Sequence, residues 1–216
     1  MLGELDLPLV WAAILALAVF MYILLDGFDL GVGILFPFAE SADQRNRMMA
    51  SVAPLWDGNE TWLVLGGAGL FAVFPKAYAA MMPALYMPIG FMLTALIFRG
   101  VAFEFRPRAA EGTGQHLWDL AFHWGSLVAT FSQGLILGTL IQGIPVQDAQ
   151  FSRGMFDWLT PFSFIVGSGV VGGYALLCSS SLIITTNDPL PAWMPRTATA
   201  AAPSLRLTLV YMRLRE

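Results

Sequence analysis

A single cysteine, Cys178, stands in 216 residues, so no internal disulfide can staple this chain. The CxxC, CxxCH and HExxH patterns are missing, as are a P-loop and a GxGxxG fingerprint, which removes the common metal and nucleotide sites. No block of lysine and arginine occurs. Eleven basic residues against fifteen acidic ones leave a net charge of −4, and nucleic acid is excluded as a partner. Charge of either sign is scarce: 12% of residues are charged, 57% are hydrophobic, and the mean hydropathy is +0.67. That composition cannot coat a soluble globule of this length, and it reads as an all-α integral membrane protein. No Lys or Arg precedes Arg45, so the first apolar run lacks the positive flank of a cleaved signal and is expected to remain as a membrane helix.

What the chain has is apolar length. The runs Leu7–Phe36, Trp56–Phe74, Tyr78–Phe98, Leu117–Ile141 and Leu159–Leu177 approach or exceed the ~20 residues that cross a hydrocarbon core. They predict about five transmembrane helices, one bundle plus an additional helix, within residues 1–178. The first is expected to be interrupted at Asp26-Gly27-Phe28-Asp29. From 179 to 216 the prolines between Pro189 and Pro203 interrupt the apolar pattern, and a divergent, poorly ordered cytoplasmic tail is expected. Arg45, Arg47, Arg99, Arg106 and Arg108 fall on one side of the spans, and only Lys76 and Arg153 on the other. The positive-inside rule makes the arginine side cytoplasmic and the N-terminus external. GxxxG pairs at Gly27/Gly31, Gly134/Gly138 and Gly169/Gly173 predict close helix contacts.

Four acids stand where acids are costly. Asp57 and Glu60 open the second span, and Asp26 and Asp29 close the first; each pair, three residues apart, is expected to share a helix face. With this orientation all four approach the cytoplasmic surface, where they are candidates for a proton path. The plainer readings are a helix cap for Asp57 and Glu60 and a polar kink for Asp26 and Asp29. Arg99, Glu104 and Arg106 mark the end of the third span. Arg99 and Arg106 read first as positive-inside anchors; the alternative is that one of them pairs with carboxylates across the bundle, in which case it is Arg99, with Glu104 a further ion-pair candidate. His116 and His123 lie on one helix, ~10 Å apart along its axis, so they cannot ligate one haem from opposite faces. A polar cluster with Asp119 is expected instead.

At DGFDLGVG (Asp26–Gly33), APLWDGNETWL (Ala53–Leu63), FRGVAFEFR (Phe98–Arg106) and LIQGIPV (Leu140–Val146), the sequence resembles subunit II of bd-type cytochrome quinol oxidases. The resemblance covers roughly residues 1–178 and corresponds to the first half of a family member. It implies a heterodimer, with room for a small third subunit, in the bacterial cytoplasmic membrane. The partner, subunit I, carries haem b and haem d, oxidises quinol and reduces oxygen to water, while this subunit holds no haem ligand and is not catalytic alone. It also implies that Asp57, the aspartate of the WDGN block, belongs to a cytoplasmic proton route, with Asp29, Glu60 and Asp26 as further members. The rival reading is a proton-coupled secondary transporter. Such carriers show paired interrupted helices in two related halves, and here only the first span carries a charged interruption.

Overall fold

The computed structural model describes residues 6–110, 112–147, 150–185 and 210. The expected tail therefore lies outside the described residues from 186 onward, Val210 apart. Six α-helices make up nearly all of what is described: α1 Leu7–Leu35, α2 Ala42–Val52, α3 Trp56–Val73, α4 Pro75–Phe105, α5 Thr113–Gln142 and α6 Pro161–Thr185. A short antiparallel hairpin, β1 Val146–Gln147 and β2 Gln150–Phe151, joins α5 to α6.

The helix starts and stops follow local chemistry. The Asp6 side chain accepts from the Leu9 amide at 3.4 Å and caps α1, with Pro8 in the first turn, where a missing N–H costs nothing. Ser41 caps α2 by accepting from the Gln44 amide at 3.2 Å. Pro75 opens α4 directly after α3 ends. Gly112, at φ +94°, turns the chain into α5, a conformation that a residue with a Cβ rarely adopts.

This is the all-α membrane architecture that composition demands. Four stretches, Leu7–Phe38, Pro75–Arg108, Thr113–Gln142 and Pro161–Ser180, are long and apolar enough to cross a membrane. The remaining expected span became α3. It is 18 residues long and begins Trp-Asp-Gly-Asn-Glu, so its apolar part is short. α1 corrects a second expectation, because it runs unbroken through Asp26-Gly27-Phe28-Asp29. Its hydrogen-bond ladder has no reason to open there, since neither residue is proline and both carboxyls find a cation.

α5 packs between α4 and α6, and α1 packs on α3, α5 and α6. Small residues set two of these approaches. A Cβ on Gly31 would lie 2.5 Å from the Tyr174 carbonyl oxygen, and one on Gly134 would collide with the Gly167 backbone, so both helix pairs meet backbone to backbone. Gly173, from the last GxxxG pair, faces open space within this chain. Leu30, Leu35, Phe36, Val52, Phe103 and Phe122 form the main core at the arginine-bearing end of the bundle. Lys76 and Arg153 sit at the opposite end.

A buried arginine among three carboxylates

At that arginine-bearing end, α4 presents Arg99 inward with no solvent exposure. One terminal nitrogen donates to Glu60 Oε1 at 2.7 Å and stands 3.2 Å from Asp26 Oδ1; the other is 3.7 Å from Asp29 Oδ2. Three helices supply the site, with the aspartates from α1, Glu60 from α3 and the guanidinium from α4. Asn59, beside Glu60, donates to Asp29 Oδ2 at 2.7 Å. The Trp56 ring lies 5.8 Å from the guanidinium carbon and stacks on Phe103 at 5.5 Å, closing one side of the cluster with aromatic surface. Gly125 of α5 closes another, because a Cβ there would fall 3.1 Å from Arg99 Cβ.

Asp26, Asp29 and Glu60 thus converge, and Asp57 does not. Residues three apart on an α-helix are displaced by ~60° around its axis. That offset turns Glu60 toward Arg99 and leaves Asp57 exposed in the first turn of α3. Asp57 lies in the first turn of α3, where an anion suits the helix dipole, although Leu55 is the N-cap residue and no side chain hydrogen-bonds there. Glu104 stays out of the cluster. It meets Arg108 at 3.4 Å on the surface, both side chains more than half exposed, a kind of pair that contributes only ~0.3–0.5 kcal/mol.

One face of α4 carries both Arg99 and Arg106, seven residues apart. Arg106 is buried against Asp119 of α5, donates to Asn46 Oδ1 at 2.7 Å, and lies over Phe36. Arg45 approaches the same Asp119 at 3.4 Å. The expected cluster of Asp119 with His116 and His123 is therefore replaced by an ion-pair centre. His123 Nδ1 instead meets the Gly33 carbonyl oxygen at 3.0 Å. Arginine wins the carboxylate because its charge is permanent and its planar fork offers several donors at once. Among the described residues, no group of three or more His, Cys, Asp or Glu is placed to hold a metal ion.

A further set of residues escaped the sequence reading. Deeper in the bundle, Tyr174 donates its hydroxyl to Gln133 Oε1 at 2.7 Å, and Gln133 Nε2 donates to the Tyr22 hydroxyl at 2.7 Å. Tyr22 stands one turn from Asp26 on α1. Two signals were available for these residues: the four-residue step from Tyr22 to Asp26, and a polar residue recurring at steps of three and four along α5.

Comparison with known proteins places the chain in a family. The description of the family "Cytochrome bd terminal oxidase subunit II" matches residues 7–214, beyond the 178 residues over which the motifs were legible. Cytochrome bd-I ubiquinol oxidase subunit 2 of Escherichia coli (strain K12) is 34% identical over 172 residues, covering 77% of this chain and 45% of that protein. Cytochrome bd ubiquinol oxidase subunit 2 of Bacillus subtilis (strain 168) is 34% identical over 170 residues, covering 78% and 49%. The chain spans about half the length of the curated relatives it matches. A chain in the structure of bd oxidase from Geobacillus thermodenitrificans shares the fold, with a TM-score of 0.78 over 98% of this chain and 67% of that one, at 19% identity. With a family match over nearly its whole length and a third of its aligned residues shared with these relatives, the chain belongs to the cytochrome bd terminal oxidase subunit II family.

Proposed function

We propose that this chain is the non-haem subunit of a bd-type quinol:oxygen oxidoreductase of the bacterial cytoplasmic membrane. It packs against a haem-bearing subunit I and lends carboxylates to proton uptake from the cytoplasm. The observation that carries the reading is the Arg99 cluster. Three carboxylates against one guanidinium leave an excess of two negative charges if all are ionised, in a region where even one unpaired charge is costly. Protons are the natural means of offsetting that excess. Access runs in the right direction: Asp57 is exposed, Glu60 retains 27% side-chain exposure, and Asp29 and Asp26 are buried behind it.

In such a complex, haem b and haem d of the partner would supply the electron transfer and the oxygen chemistry. The residues of this chain would hold and pass protons. The exposed apolar faces of α1, α3 and α4, which carry Phe20, Leu24, Val64, Phe71, Phe91 and Ile97, suit lipid and a neighbouring membrane subunit alike. Family membership gives the carrier reading no support.

Purifying the complex through a tag on this chain is expected to bring down a larger partner and a reduced-minus-oxidised spectrum containing haem b and haem d. A haem-free preparation from cells that make both subunits would overturn the reading. Orientation is tested separately by cysteine labelling in a Cys178→Ser background. Ala110→Cys should react only from the cytoplasmic side and Lys76→Cys only from outside, because the five arginines cluster at the first of these ends. Labelling of Ala110→Cys from outside would turn every carboxylate toward the wrong compartment.

A further inference from the structure

The inward face of α5 carries Asp119, His123, Ser126, Thr130 and Gln133, at alternating steps of four and three. α1 runs antiparallel to it and opposes Tyr22, Asp26, Asp29 and Gly33, again at steps of four and three. Two contacts set the register. His123 Nδ1 meets the Gly33 carbonyl oxygen at one end, and Gln133 Nε2 meets the Tyr22 hydroxyl at the other. Ser126 packs directly on Gly33, where a Cβ would fall 2.0 Å from its Oγ, and Asp29 and Asp26 fall opposite the stretch between Ser126 and Gln133 that holds Thr130.

Between those bonded ends the ion pairs of Arg99 with Asp26 and Asp29 leave several polar atoms without a hydrogen bond. Both Asp26 oxygens, Ser126 Oγ, Thr130 Oγ1, and the Nε and one terminal nitrogen of Arg99 are buried without a hydrogen bond. All four residues have 0% exposure. A hydroxyl on a membrane helix ordinarily bonds back to the carbonyl one turn earlier, as Thr139 does to Leu135 at 2.8 Å. Ser126 and Thr130 do not, which leaves their hydroxyls available to another ligand. Such a concentration of orphaned polar atoms is costly in a dry interior, and buried water with two to four polar partners is the usual solution. The Tyr22 hydroxyl points to the same conclusion. It accepts from Gln133, so its own proton is free to donate toward the Asp26 side of the seam.

We propose that the α1–α5 seam is a water-binding site. A short file of ordered waters is held by Asp26, Ser126, Thr130 and Arg99, and it joins the carboxylate cluster to the Tyr22–Gln133–Tyr174 chain. From Asp29 to Tyr22 the file covers ~10 Å of helix rise. The hydration stands on geometry alone; only its use as a conductor of protons rests on the function proposed above.

The test is Thr130→Val and Ser126→Ala in the purified complex, with Thr130→Ser as the variant that keeps the hydroxyl. Replacing a dry, orphaned hydroxyl by a methyl group removes a penalty, so the melting temperature would hold or rise. Replacing a hydroxyl that anchors water lowers it, by about 2–4 °C per variant. Infrared difference spectra should show O–H stretching bands that shift in H₂¹⁸O and are lost in Thr130→Val but kept in Thr130→Ser. Proton-coupled turnover should fall about tenfold or more in Thr130→Val. Unchanged water bands with an unchanged or raised melting temperature would overturn the site. Lost bands with full turnover would support the site and overturn its role in conduction, and that outcome would leave the proton role of Asp29 to be judged on its own variant.

Discussion

Arg99→Met is expected to abolish assembly of the complex. The guanidinium is fully buried and is the group that Asp26, Asp29 and Glu60 share. Methionine fills similar volume but strands three carboxylates in a medium that cannot solvate them. Breaking a buried ion pair from one side costs ~3–5 kcal/mol, and at ~1.4 kcal/mol per decade that is more than a hundredfold shift toward the unassembled state. Complex recovered from membranes should drop below about a tenth of wild type by that arithmetic. Arg99→Lys should be intermediate, because an ammonium keeps the charge but cannot fork between carboxylates on two helices. Removing the stranded charges along with the cation should rescue assembly, so Arg99→Met with Asp26→Asn and Asp29→Asn should outperform Arg99→Met alone. Wild-type yield and melting behaviour in the single variant would show that the carboxylates do not depend on this cation.

The sequence made the class of fold legible because spanning length and the cost of charge in lipid are local properties. Helix existence, the Pro75 turn and the end of the bundle where the acids gather could all be read without tertiary information. The partnership was only half visible. From the sequence Arg99 reads first as a positive-inside anchor and only second as a cross-bundle partner, and the rotation that turns Glu60 inward and Asp57 outward depends on how α3 is seated. Asp119 shows the limit from the other side. Two histidines on its own helix were the near neighbours in sequence, yet Arg106 and Arg45 reach it from other elements and bring permanent charge. Asn59 was missed because a single amide has no periodic signature. The α5 stripe did have one, and it is recognisable once Asp119 through Gln133 are read as a continuous inward face.

Asp29→Asn and Asp57→Asn are expected to lower turnover by about a hundredfold each if both lie on one proton route, since a positioned proton-transfer group typically contributes ~10²–10⁴ in rate. The two variants differ in what else they touch. Asp29 is buried, accepts from Asn59 at 2.7 Å and faces Arg99, so its neutralisation leaves two carboxylates against one guanidinium. Complex yield and melting temperature should therefore hold or rise while turnover falls, a divergence that damage to the fold would not produce. Asp57 is exposed in the first turn of α3, where an anion gains only ~0.3–1 kcal/mol from the helix dipole. Asparagine there keeps the side-chain volume and removes the exchangeable proton. If Asp57 serves only the dipole, turnover per haem stays at wild type and the small loss appears in yield. If it is the entry to the route, turnover falls with yield intact. Groups that act in series are non-additive, so the double variant should be little worse than the more impaired single one. Losses that multiply in the double variant would assign the two aspartates to separate tasks. Full turnover in both singles would remove proton delivery from this subunit altogether.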